Sequence, residues 1–473
     1  MKPVNIDLTS NNNQNIHIVG IGGAGMSAIA HILKAKGKII SGSDLKESKV
    51  TERLITQGIT VSVPHLANAV SDVIDLVVIS SAIGTDNVEI IRAKEKGIPV
   101  YSRADILSAI CHSEKSIGIA GSHGKTTTTS MVTTIARYAE MSPSFMIGGD
   151  LNEIGTNSQY NDGSYLIVEA DESDKTFLEL SLVGSIVTNI ECDHLENYNN
   201  SFDSLKNSFE TFVKNTNGPV VICVDEINAR DVADNCAEIK NIITIGNNDA
   251  QYTYNIIGRD SAGIDAEIYF GAELKGILKL AVPGEHNVRN ALCAIALMVE
   301  FGVAIDTAIA ALAIYGGVAR RFQPRGKING ITLIDDYAHL PTEIEVTLNA
   351  AHDGRFNKVI AIFQPHRFSR TQELYREFAK SLEKADIVCV TQIYDAGESV
   401  RIGISGENIV NEMKSNGYSN VFFAPHKEDV IGFVLNNANE NDIVLTLGAG
   451  DITTYPDDII AALKNFESLK SQD

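Results

Sequence analysis

One short stretch constrains the fold of this chain more than any other, the sequence SIGIAGSHGKTTTT at residues 116–129. Its apolar part predicts a buried strand over 117–120, and its hydroxyl-rich part predicts a helix that starts near Thr126. Between them, Gly121 and Gly124 let the backbone turn tightly around phosphate oxygens, while the helix N-terminus faces the anion. The stretch therefore predicts a strand, a loop and a helix that hold a polyphosphate.

The end of this stretch matches the last part of the P-loop pattern, G-K-[ST]. Lys125 would reach the terminal phosphates, and Thr126 would offer its hydroxyl to magnesium. The full pattern also requires glycine at position 119, where this chain has Ile119, and Gly121 supplies the flexibility instead. We interpret the loop as a P-loop variant of the form GxxGKT. The alternative is a plain glycine turn with an exposed lysine.

A second glycine-rich turn, GIGGAG, occupies residues 20–25. It follows a predicted strand at 16–19 and precedes apolar residues at helical spacing, which is the opening of a Rossmann-type unit. A strand over 38–41 leads to Asp44, where an acid usually contacts a ribose hydroxyl. Taken alone, the pattern indicates a nicotinamide dinucleotide site, although any pyrophosphate fits such a helix N-terminus.

Strands and helices alternate along the rest of the chain and predict an α/β protein of three domains. We place a Rossmann-like domain at 1–110, a P-loop ATPase-like α/β domain at 111–320 and a second Rossmann-like α/β domain at 321–473. Alternating residues over 250–281 indicate an antiparallel patch in the central domain. The strands predicted for the last domain lie at 331–334, 358–363, 386–390, 420–423 and 443–447.

Acidic residues and a histidine follow two predicted strands of the central domain, at 165–169 and 185–190. Open α/β sheets bind ligands at the carboxyl ends of their strands. Magnesium prefers oxygen ligands, so we expect Glu169 and Thr126 to hold it, with His194 as a less usual third ligand. The alternatives are a surface acid at Glu169 and, at His194, a histidine that hydrogen-bonds near a helix start.

Polar and basic residues also follow two predicted strands of the last domain. They are Asp336, Tyr337 and His339 after the strand at 331–334, and His366, Arg367 and Arg370 after the strand at 358–363. A histidine with two arginines suits a phosphate or a carboxylate bound in forked geometry. The alternatives are an ordinary strand-to-helix loop with Pro341 in the first helical turn, and a solvated basic helix start.

The charge balance limits the partners of the chain. With 39 basic and 60 acidic side chains, the formal net charge of −21 argues against binding to nucleic acid or an anionic membrane. The six cysteines lack metal-ligand spacing and the polar N-terminal residues do not resemble a signal peptide, so we expect a cytoplasmic protein. The apolar stretch at 16–33 contains two histidines and the glycine turn, so we do not interpret it as a membrane span.

Several motifs, in one order along nearly the whole chain, resemble those of the Mur ligase family. They are GIGGAGMS, SGSD, GSHGKTTTT, EADESD, TNIECDH, GEHNVRNALCA, RRFQ, DDYAHLPTEI, QPHRFSRT, DAGE and GAGDI. The resemblance implies a ligase of peptidoglycan synthesis that uses ATP and Mg²⁺. It would join L-alanine to the lactyl carboxylate of UDP-N-acetylmuramate through an acyl phosphate. In this family the first domain binds the UDP part of the substrate and not NAD.

The resemblance also implies roles for individual residues. It places the UDP diphosphate on Gly20, Gly22, Gly23 and Gly25, with Asp44 nearby. It places the ATP phosphates on Gly121, Ser122, His123, Gly124, Lys125, Thr126 and Thr127, and the rest of the nucleotide near His286, Asn287, Asn290, Arg321 and Asp336. The muramate carboxylate and the incoming alanine would lie near Tyr337, His339, His366, Arg367 and Arg370. Lys125, Glu169 and His194 would be catalytic, with magnesium on Thr126, Glu169 and His194.

Two positions depart from the family pattern. Leu340 stands where a second histidine is usual, and Asp395 stands where a proline is common. Other functions stay open on the sequence: a murein tripeptide recycling ligase that uses the same acceptor, an NAD-dependent dehydrogenase with a regulatory ATP site, and a non-catalytic nucleotide-binding scaffold. The motifs leave open the oligomeric state and the preference among L-alanine, glycine and L-serine.

Overall fold

The computed structural model describes residues 6–8, 10, 13–80, 82–193, 195–239, 241–247, 249–260, 263–354 and 356–470. These residues form two compact units. The first unit comprises the described residues up to Asn255, with Glu267–Leu278 and Arg289–Tyr315. The second unit comprises Ile256–Ala266, Lys279–Val288 and the described residues from Gly316 onward.

A five-stranded parallel sheet begins the first unit. Its strands are Asn15–Val19 (β1), Ile39–Ser43 (β2), Thr60–Ser62 (β3), Leu76–Ile79 (β4) and Val100–Ser102 (β5), and its helices are Ala24–Ala35 (α1), Lys49–Thr56 (α2), Val88–Glu95 (α3) and Arg103–His112 (α4). The strand order is β3-β2-β1-β4-β5, with every pair parallel. Capping boxes at Ser48 and Ser102 fix the starts of α2 and α4.

A ten-stranded sheet follows. Its strands are Lys115–Ala120 (β6), Ser144–Leu151 (β7), Thr156–Gln159 (β8), Tyr165–Glu169 (β9), Leu182–Val187 (β10), Val220–Cys223 (β11), Ile242–Ile245 (β12), Tyr252–Asp260 (β13), Gly263–Phe270 (β14) and Glu273–Leu280 (β15). The helices are Lys125–Tyr138 (α5), Phe202–Asn215 (α6), Ile227–Asn235 (α7), Glu285–Glu300 (α8) and Ile305–Ala313 (α9). The strand order is β15-β14-β13-β12-β11-β10-β6-β9-β7-β8. Because β6 lies between β10 and β9 and is parallel to both, the phosphate loop leaves the interior of the sheet.

The second unit contains a six-stranded sheet. Its strands are Gln323–Ile328 (β16), Ile331–Asp336 (β17), Val359–Phe363 (β18), Ile387–Val390 (β19), Val421–Phe423 (β20) and Ile443–Leu447 (β21). The helices are Pro341–His352 (α10), Phe368–Leu382 (α11), Glu407–Ser415 (α12), Lys427–Asn437 (α13) and Tyr455–Lys470 (α14). The order is β16-β17-β21-β18-β19-β20, in which β16 is antiparallel and the other pairs are parallel.

The sequence predicted the buried parallel strands but missed β3, β7, β8, β12 and β16. Three of these, β3, β8 and β16, lie at the edges of their sheets. Edge strands tolerate polar residues, proline and glycine, so β8 reads TNSQ and β16 reads QPRGKI, without the apolar run that marks a central strand. Strand β7, which the sequence analysis also missed, contains two glycines, and one of them lies at the candidate site.

The described helices are too short or too polar to cross a bilayer. Helices α8 and α14 have 16 residues each, whereas a transmembrane helix needs about 20 predominantly apolar residues. Within the described ranges no helix meets the requirements of a membrane span.

One apolar core runs through the first unit and joins its two sheets. Its buried members include Ile16, Ile18, Ile29, Val168, Val187 and Phe209. Helix α1 packs on β7 and β8, where the Asn157 side chain donates to the Ala24 carbonyl at 3.0 Å. His31 of α1 and Ser158 of β8 add a second polar contact of 3.1 Å. The glycine turn before α1 and the strands β7 and β8 therefore belong to a single packed body.

A buried carboxylate ties the first sheet to one of its helices. Glu89 of α3 is fully buried, accepts hydrogen bonds from Ser43 at 2.5 Å and from the Leu66 amide at 2.8 Å, and lies 3.3 Å from His17 Nε2. Burial alone would raise the pKa of Glu89, but the hydrogen bonds from His17, Ser43 and Leu66 outweigh it and lower the pKa. The ionised carboxylate thus stabilises the packing of α3 on β1 and β2.

We expect Glu89→Gln to lower the local free energy of unfolding by about 2–4 kcal/mol at pH 7, because a buried network loses its charged acceptor. The lowered pKa means that the carboxylate contributes its stability above its ordinary value of about 4.3 and loses it as the pH falls through the folded-state value. Native-state hydrogen exchange of peptides that contain β1 and β2 measures this free energy.

The matched control is Glu95→Gln, since Glu95 forms an exposed pair with Arg92 on the same helix. It should change the free energy by no more than about 0.5 kcal/mol. Equal effects of the two substitutions, or a difference that does not shrink as the pH falls through the folded-state pKa of Glu89, would contradict the assignment of an ionised, network-bound Glu89.

Candidate functional site

The phosphate loop between β6 and α5 is anchored by the residues that follow β10. Gly121 and Gly124 have φ values of +133° and +80°, which L side chains rarely adopt. Asn189 binds the loop twice, because its Oδ1 accepts the His123 N–H at 2.8 Å and its Nδ2 donates to the His123 carbonyl at 2.9 Å. A Cβ at Gly121 would lie 2.0 Å from Thr188 Oγ1. The loop therefore needs glycine for its packing as well as for its conformation.

Lys125 is folded back onto this loop. Its Nζ donates to the Gly121 carbonyl at 2.6 Å, to the Ser122 carbonyl at 3.3 Å and to Glu172 Oε1 at 2.8 Å. Burial alone would lower the pKa of Lys125, because it disfavours the charged ammonium group. The carboxylates of Glu172 and Asp171 outweigh this effect and raise the pKa. The lysine is thus fully charged at pH 7 and paired with a buried acid beside the loop.

Thr126 and Glu169 surround one small space next to Gly148 of β7. A Cβ at Gly148 would lie 2.9 and 3.0 Å from the two Glu169 oxygens and 3.1 Å from Thr126 Oγ1. The Gly148 N–H donates to Glu169 Oε1 at 2.6 Å. Burial raises the pKa of Glu169, and the hydrogen bonds from Gly148 and Thr126 oppose that rise. Glycine at this position leaves room for a ligand between the two oxygen donors.

These two donors fit a magnesium ion, which prefers oxygen and is usually bound by one or two carboxylates together with phosphates and water. His194, the third predicted ligand, lies outside the described residues. In the described part of the chain, no group of three or more His, Cys, Asp or Glu side chains could hold a metal ion. The described residues therefore offer two oxygen donors of a metal site beside the phosphate loop.

Asn290 of α8 also lies against the phosphate loop. A Cβ at Gly124 would be 2.8 Å from Asn290 Oδ1, and Asn290 is 7% exposed. His286 and Asn287, which were predicted to contact adenine with Asn290, are part of the second unit. The Asn287 side chain donates to the Pro283 carbonyl at 2.6 Å, so its amide nitrogen serves the turn before α8.

The glycine turn at the start of the first unit is closed by a carboxylate. Gly20 has a φ of +79°, and the Gly22 N–H donates to Asp44 Oδ2 at 2.8 Å. A Cβ at Gly22 would lie 2.8 Å from the same oxygen, and a Cβ at Gly25 would lie 2.9 Å from Arg103 Nε. The turn is therefore packed tightly between Asp44 and Arg103, at the N-terminus of α1.

A cavity of about 310 Å³ joins the glycine turn to the Glu169 site within the first unit. Its lining includes Gly23, Gly25, Arg103, Gly148, Glu169 and Asp171. The predicted diphosphate site and the predicted magnesium ligand Glu169 therefore face the same cavity.

In the second unit, the residues that follow β17 and β18 form a stack of rings. The His339 ring lies 5.0 Å from the Tyr337 ring and 5.8 Å from the His366 ring, and His366 stacks on Tyr394 at 5.6 Å. The Arg321 guanidinium lies 5.2 Å from the centre of the Tyr337 ring. The structure thus brings together three predicted residues of the last domain and adds Tyr394.

Burial keeps both histidines of this stack neutral at pH 7. It lowers the pKa of His339 to about 4, and it lowers the pKa of His366 to about 4, with further lowering by Arg370 in both cases. His339 Nδ1 lies 3.2 Å from Glu343 Oε2. His366 Nδ1 is buried without a hydrogen-bond partner among the described residues.

The other predicted residues of the second unit differ in their exposure. Arg367 is exposed just before α11, and Arg370 is half-buried in the first turn of that helix. Asp336 is 6% exposed and accepts the N–H groups of Phe322 at 2.6 Å and Ala338 at 2.8 Å. Burial raises the pKa of Asp336. Its carboxylate holds the backbone after β17, which is a structural task that the sequence did not indicate.

Three stretches of the chain match the domains of one enzyme family. Residues 15–115 match "Mur ligase family, catalytic domain", residues 119–298 match "Mur ligase middle domain", and residues 320–450 match "Mur ligase, glutamate ligase domain". The chain belongs to the Mur ligase family. The predicted α/β fold of three domains is confirmed by these matches and by the three sheets.

Individual Mur ligases are similar over nearly the whole length. A UDP-N-acetylmuramate–L-alanine ligase of Geotalea daltonii is 41% identical over 95% of this chain and 98% of its own. The structure of the UDP-N-acetylmuramate–alanine ligase of Thermotoga maritima is 33% identical with a TM-score of 0.83, over 97% of this chain and 100% of that one. A murein peptide ligase of Psychrobacter arcticus is 25% identical with a TM-score of 0.70, over 96% and 99%.

Sequence reasoning missed several residues of this Mur ligase site. Glu172 follows the predicted strand at 165–169 inside the motif EADESD. Asn189 lies inside the motif TNIECDH, at the end of the predicted strand at 185–190, although that strand ends at Val187 in the structure. These positions were the available signal. Gly148 lies on β7, which the sequence did not predict, and Arg103 reaches the cavity only through the packing of α4 beside α1. No local pattern indicates these last two residues.

The neutral histidines predict a pH dependence of the second unit. A pKa lowered in the folded state means that protonation favours unfolding, so stability should fall as the pH drops from about 6.5 towards about 4. The slope should be at most about 1.4 kcal/mol per pH unit for each histidine. NMR titration of the ligand-free protein should give midpoints near 4 for His339 and His366.

His366→Asn identifies the His366 resonance and should remove part of the pH dependence of unfolding. The exposed His352 of the same unit provides the reference resonance. Midpoints at the ordinary histidine value of about 6.5 would show that these rings are not buried as the structure describes.

Proposed function

We propose that this chain joins L-alanine to the lactyl carboxylate of UDP-N-acetylmuramate, with cleavage of ATP to ADP and phosphate, in peptidoglycan precursor synthesis. The observation that carries the proposal is the cavity between the glycine turn and Glu169, because it connects a site for a sugar nucleotide to the carboxylate that lies beside Thr126. The identity of 41% over 95% of the chain to a ligase of that name supports the same activity. Since the reaction consumes ATP, we expect it in the cytoplasm.

The proposed reaction has two steps. An oxygen of the lactyl carboxylate attacks the γ-phosphorus of ATP, the bond to the ADP oxygen breaks, and an acyl phosphate forms. The nitrogen of L-alanine then attacks the acyl carbon and loses a proton, and the carbon–oxygen bond to phosphate breaks. Both steps concentrate negative charge, so catalysis requires positioned cations and N–H groups. Lys125 and the N-terminus of α5 supply them on the nucleotide side.

The ligand contacts that we propose are those that the family motifs imply. The UDP diphosphate lies on Gly20, Gly22, Gly23 and Gly25 beside Asp44, and the ATP phosphates lie on residues 121–127 with Asn290 close by. His286, Asn287, Arg321 and Asp336 complete the nucleotide site, and Tyr337, His339, His366, Arg367 and Arg370 bind the carboxylate and the amino acid. The proposed domains are 1–110, 111–320 and 321–473.

We further propose that Mg²⁺ binds Thr126 and Glu169, with His194 as an additional ligand. The convergence of the two oxygen donors beside Gly148 supports this assignment. The bound ion would neutralise charge on the terminal phosphates. Lys125 leaves Glu172 to contact the same phosphates, and its raised pKa keeps it charged for that task.

A murein peptide ligase is the second candidate, since such an enzyme of Psychrobacter arcticus has the same fold over 96% of this chain. The higher identity and TM-score of the alanine ligase of Thermotoga maritima favour the alanine reaction. A dehydrogenase finds no support, because neither Lys125 nor the phosphate loop would have a role in hydride transfer.

Phosphate release decides between these candidates. With ATP, Mg²⁺ and UDP-N-acetylmuramate present, we expect L-alanine to stimulate release more than glycine, L-serine or the murein tripeptide. Lys125→Ala should reduce the rate by at least about a hundredfold, because the developing charge loses its cation. Preference for the tripeptide would establish the second candidate, and no release with any acceptor would reject both.

Gly148→Ala tests the magnesium site. The added methyl would lie about 3 Å from Glu169 and Thr126 oxygens, so we expect the Mg²⁺ concentration for half-maximal activity to rise about tenfold or more. Gly432→Ala in α13 is the control for a lost glycine, because a Cβ there meets nothing within 4 Å and its φ is not positive. Unchanged Mg²⁺ dependence in Gly148→Ala would place the ion elsewhere.

A further inference from the structure

We propose that Arg103 binds the diphosphate of the UDP-linked substrate, and that it leaves Asp171 and Asp174 to do so. The proposal rests on the proposed function for the identity of that substrate. Neither a P-loop nor a Rossmann-type motif contains this arginine, which stands at the first position of α4.

The charge of the cavity provides the first argument. Among the described residues that line it, Arg103 is the one cation, whereas Glu169 and Asp171 are acids. A sugar nucleotide brings a diphosphate and a carboxylate into this space. Helix N-termini carry only partial charge, so an acid-lined cavity needs a full positive charge to hold such an anion.

The contact between Arg103 and Gly25 provides the second argument. A Cβ at Gly25 would lie 2.9 Å from Nε, 3.3 Å from Cζ and 3.4 Å from Nη2 of Arg103. The guanidinium therefore lies flat against the first turn of α1, on which the diphosphate is expected. Arginine binds phosphate oxygens with two parallel N–H groups, so the helix N-terminus and the guanidinium would contact the same anion.

The present partners of Arg103 are weakly held. Its Nη1 lies 3.4 Å from Asp171 Oδ2 and 3.6 Å from Asp174 Oδ2, and the three side chains are 21%, 27% and 29% exposed. Such long, partly solvated pairs contribute little to stability. A diphosphate, with its larger charge and better geometry, should therefore displace both carboxylates.

Calorimetric binding in the absence of ATP and Mg²⁺ tests the proposal with three ligands: UDP, UDP-N-acetylglucosamine and UDP-N-acetylmuramate. Arg103→Met should weaken all three equally, by about tenfold to a hundredfold, because each carries the diphosphate. Gly25→Ala should weaken them as well, since its methyl displaces the guanidinium. Asp171→Asn should strengthen them, because it removes the competing charge.

Arg92→Met is the matched control, since Arg92 is a surface arginine of α3 that pairs with Glu95, and it should bind all three ligands as the unmodified protein does. ATP affinity that is unchanged in Arg103→Met verifies that the variant is folded.

Unchanged affinity for UDP in Arg103→Met would overturn the proposal, and so would a loss confined to UDP-N-acetylmuramate, which would assign Arg103 to the lactyl carboxylate. If the protein binds UDP through Arg103 but releases no phosphate with any acceptor, the proposed ligase reaction fails and the assignment of Arg103 stands. If the protein releases phosphate with an acceptor and Arg103→Met binds UDP normally, the proposed ligase reaction stands and the assignment of Arg103 fails.

Discussion

The packing of α1 on β7 and β8 is the contact on which the candidate site of the first unit depends. It joins a Rossmann-type sheet and a P-loop sheet into one core, and the buried Asn157 fixes it by donating to the Ala24 carbonyl at the start of α1. The N-terminus of α1, which is suited to an anion, and Glu169, which lies beside Thr126 of α5, thereby face one cavity. Without this contact, the glycine turn and Glu169 would be binding sites of two unconnected domains.

The acidic balance of the chain explains how the cations of the site are held. Lys125 and Arg103 both lie against carboxylates, and Asp171 is close to both of them. Burial alone would raise the pKa of Asp171, but the charges of Lys125 and Arg103 outweigh it and lower the pKa. Asp171 therefore stays ionised and helps to keep the two cations at the cavity. An incoming phosphate must compete with them, which favours ligands of high charge over ordinary anions.

Sequence reasoning succeeded where one local pattern determines both structure and chemistry. Buried strands such as β6, β9 and β17 are continuous apolar runs, and the residues after them face the ligand edge of a parallel sheet, so Lys125, Glu169 and His339 were predictable. Gly148 and Arg103 were not predictable, because two glycines interrupt the apolar run of β7 and because a contact with Gly25 of α1 decides the position of Arg103. Asn287 shows a second limit of sequence reasoning. Its motif predicts a ligand contact, but its side chain donates a hydrogen bond to the turn before α8, and the sequence does not distinguish the two roles.

The substitution at Leu340 illustrates how the second unit tolerates a departure from the family pattern. Glu343 Oε2 accepts the backbone N–H groups of both His339 and Leu340, at 3.0 and 3.2 Å, and Pro341 then begins α10. These bonds involve the main chain of residue 340, so its side chain is not required to hold the turn. His339 keeps its place in the ring stack because the backbone on either side is fixed. The side chain at position 340 can therefore differ without changing the turn that presents His339.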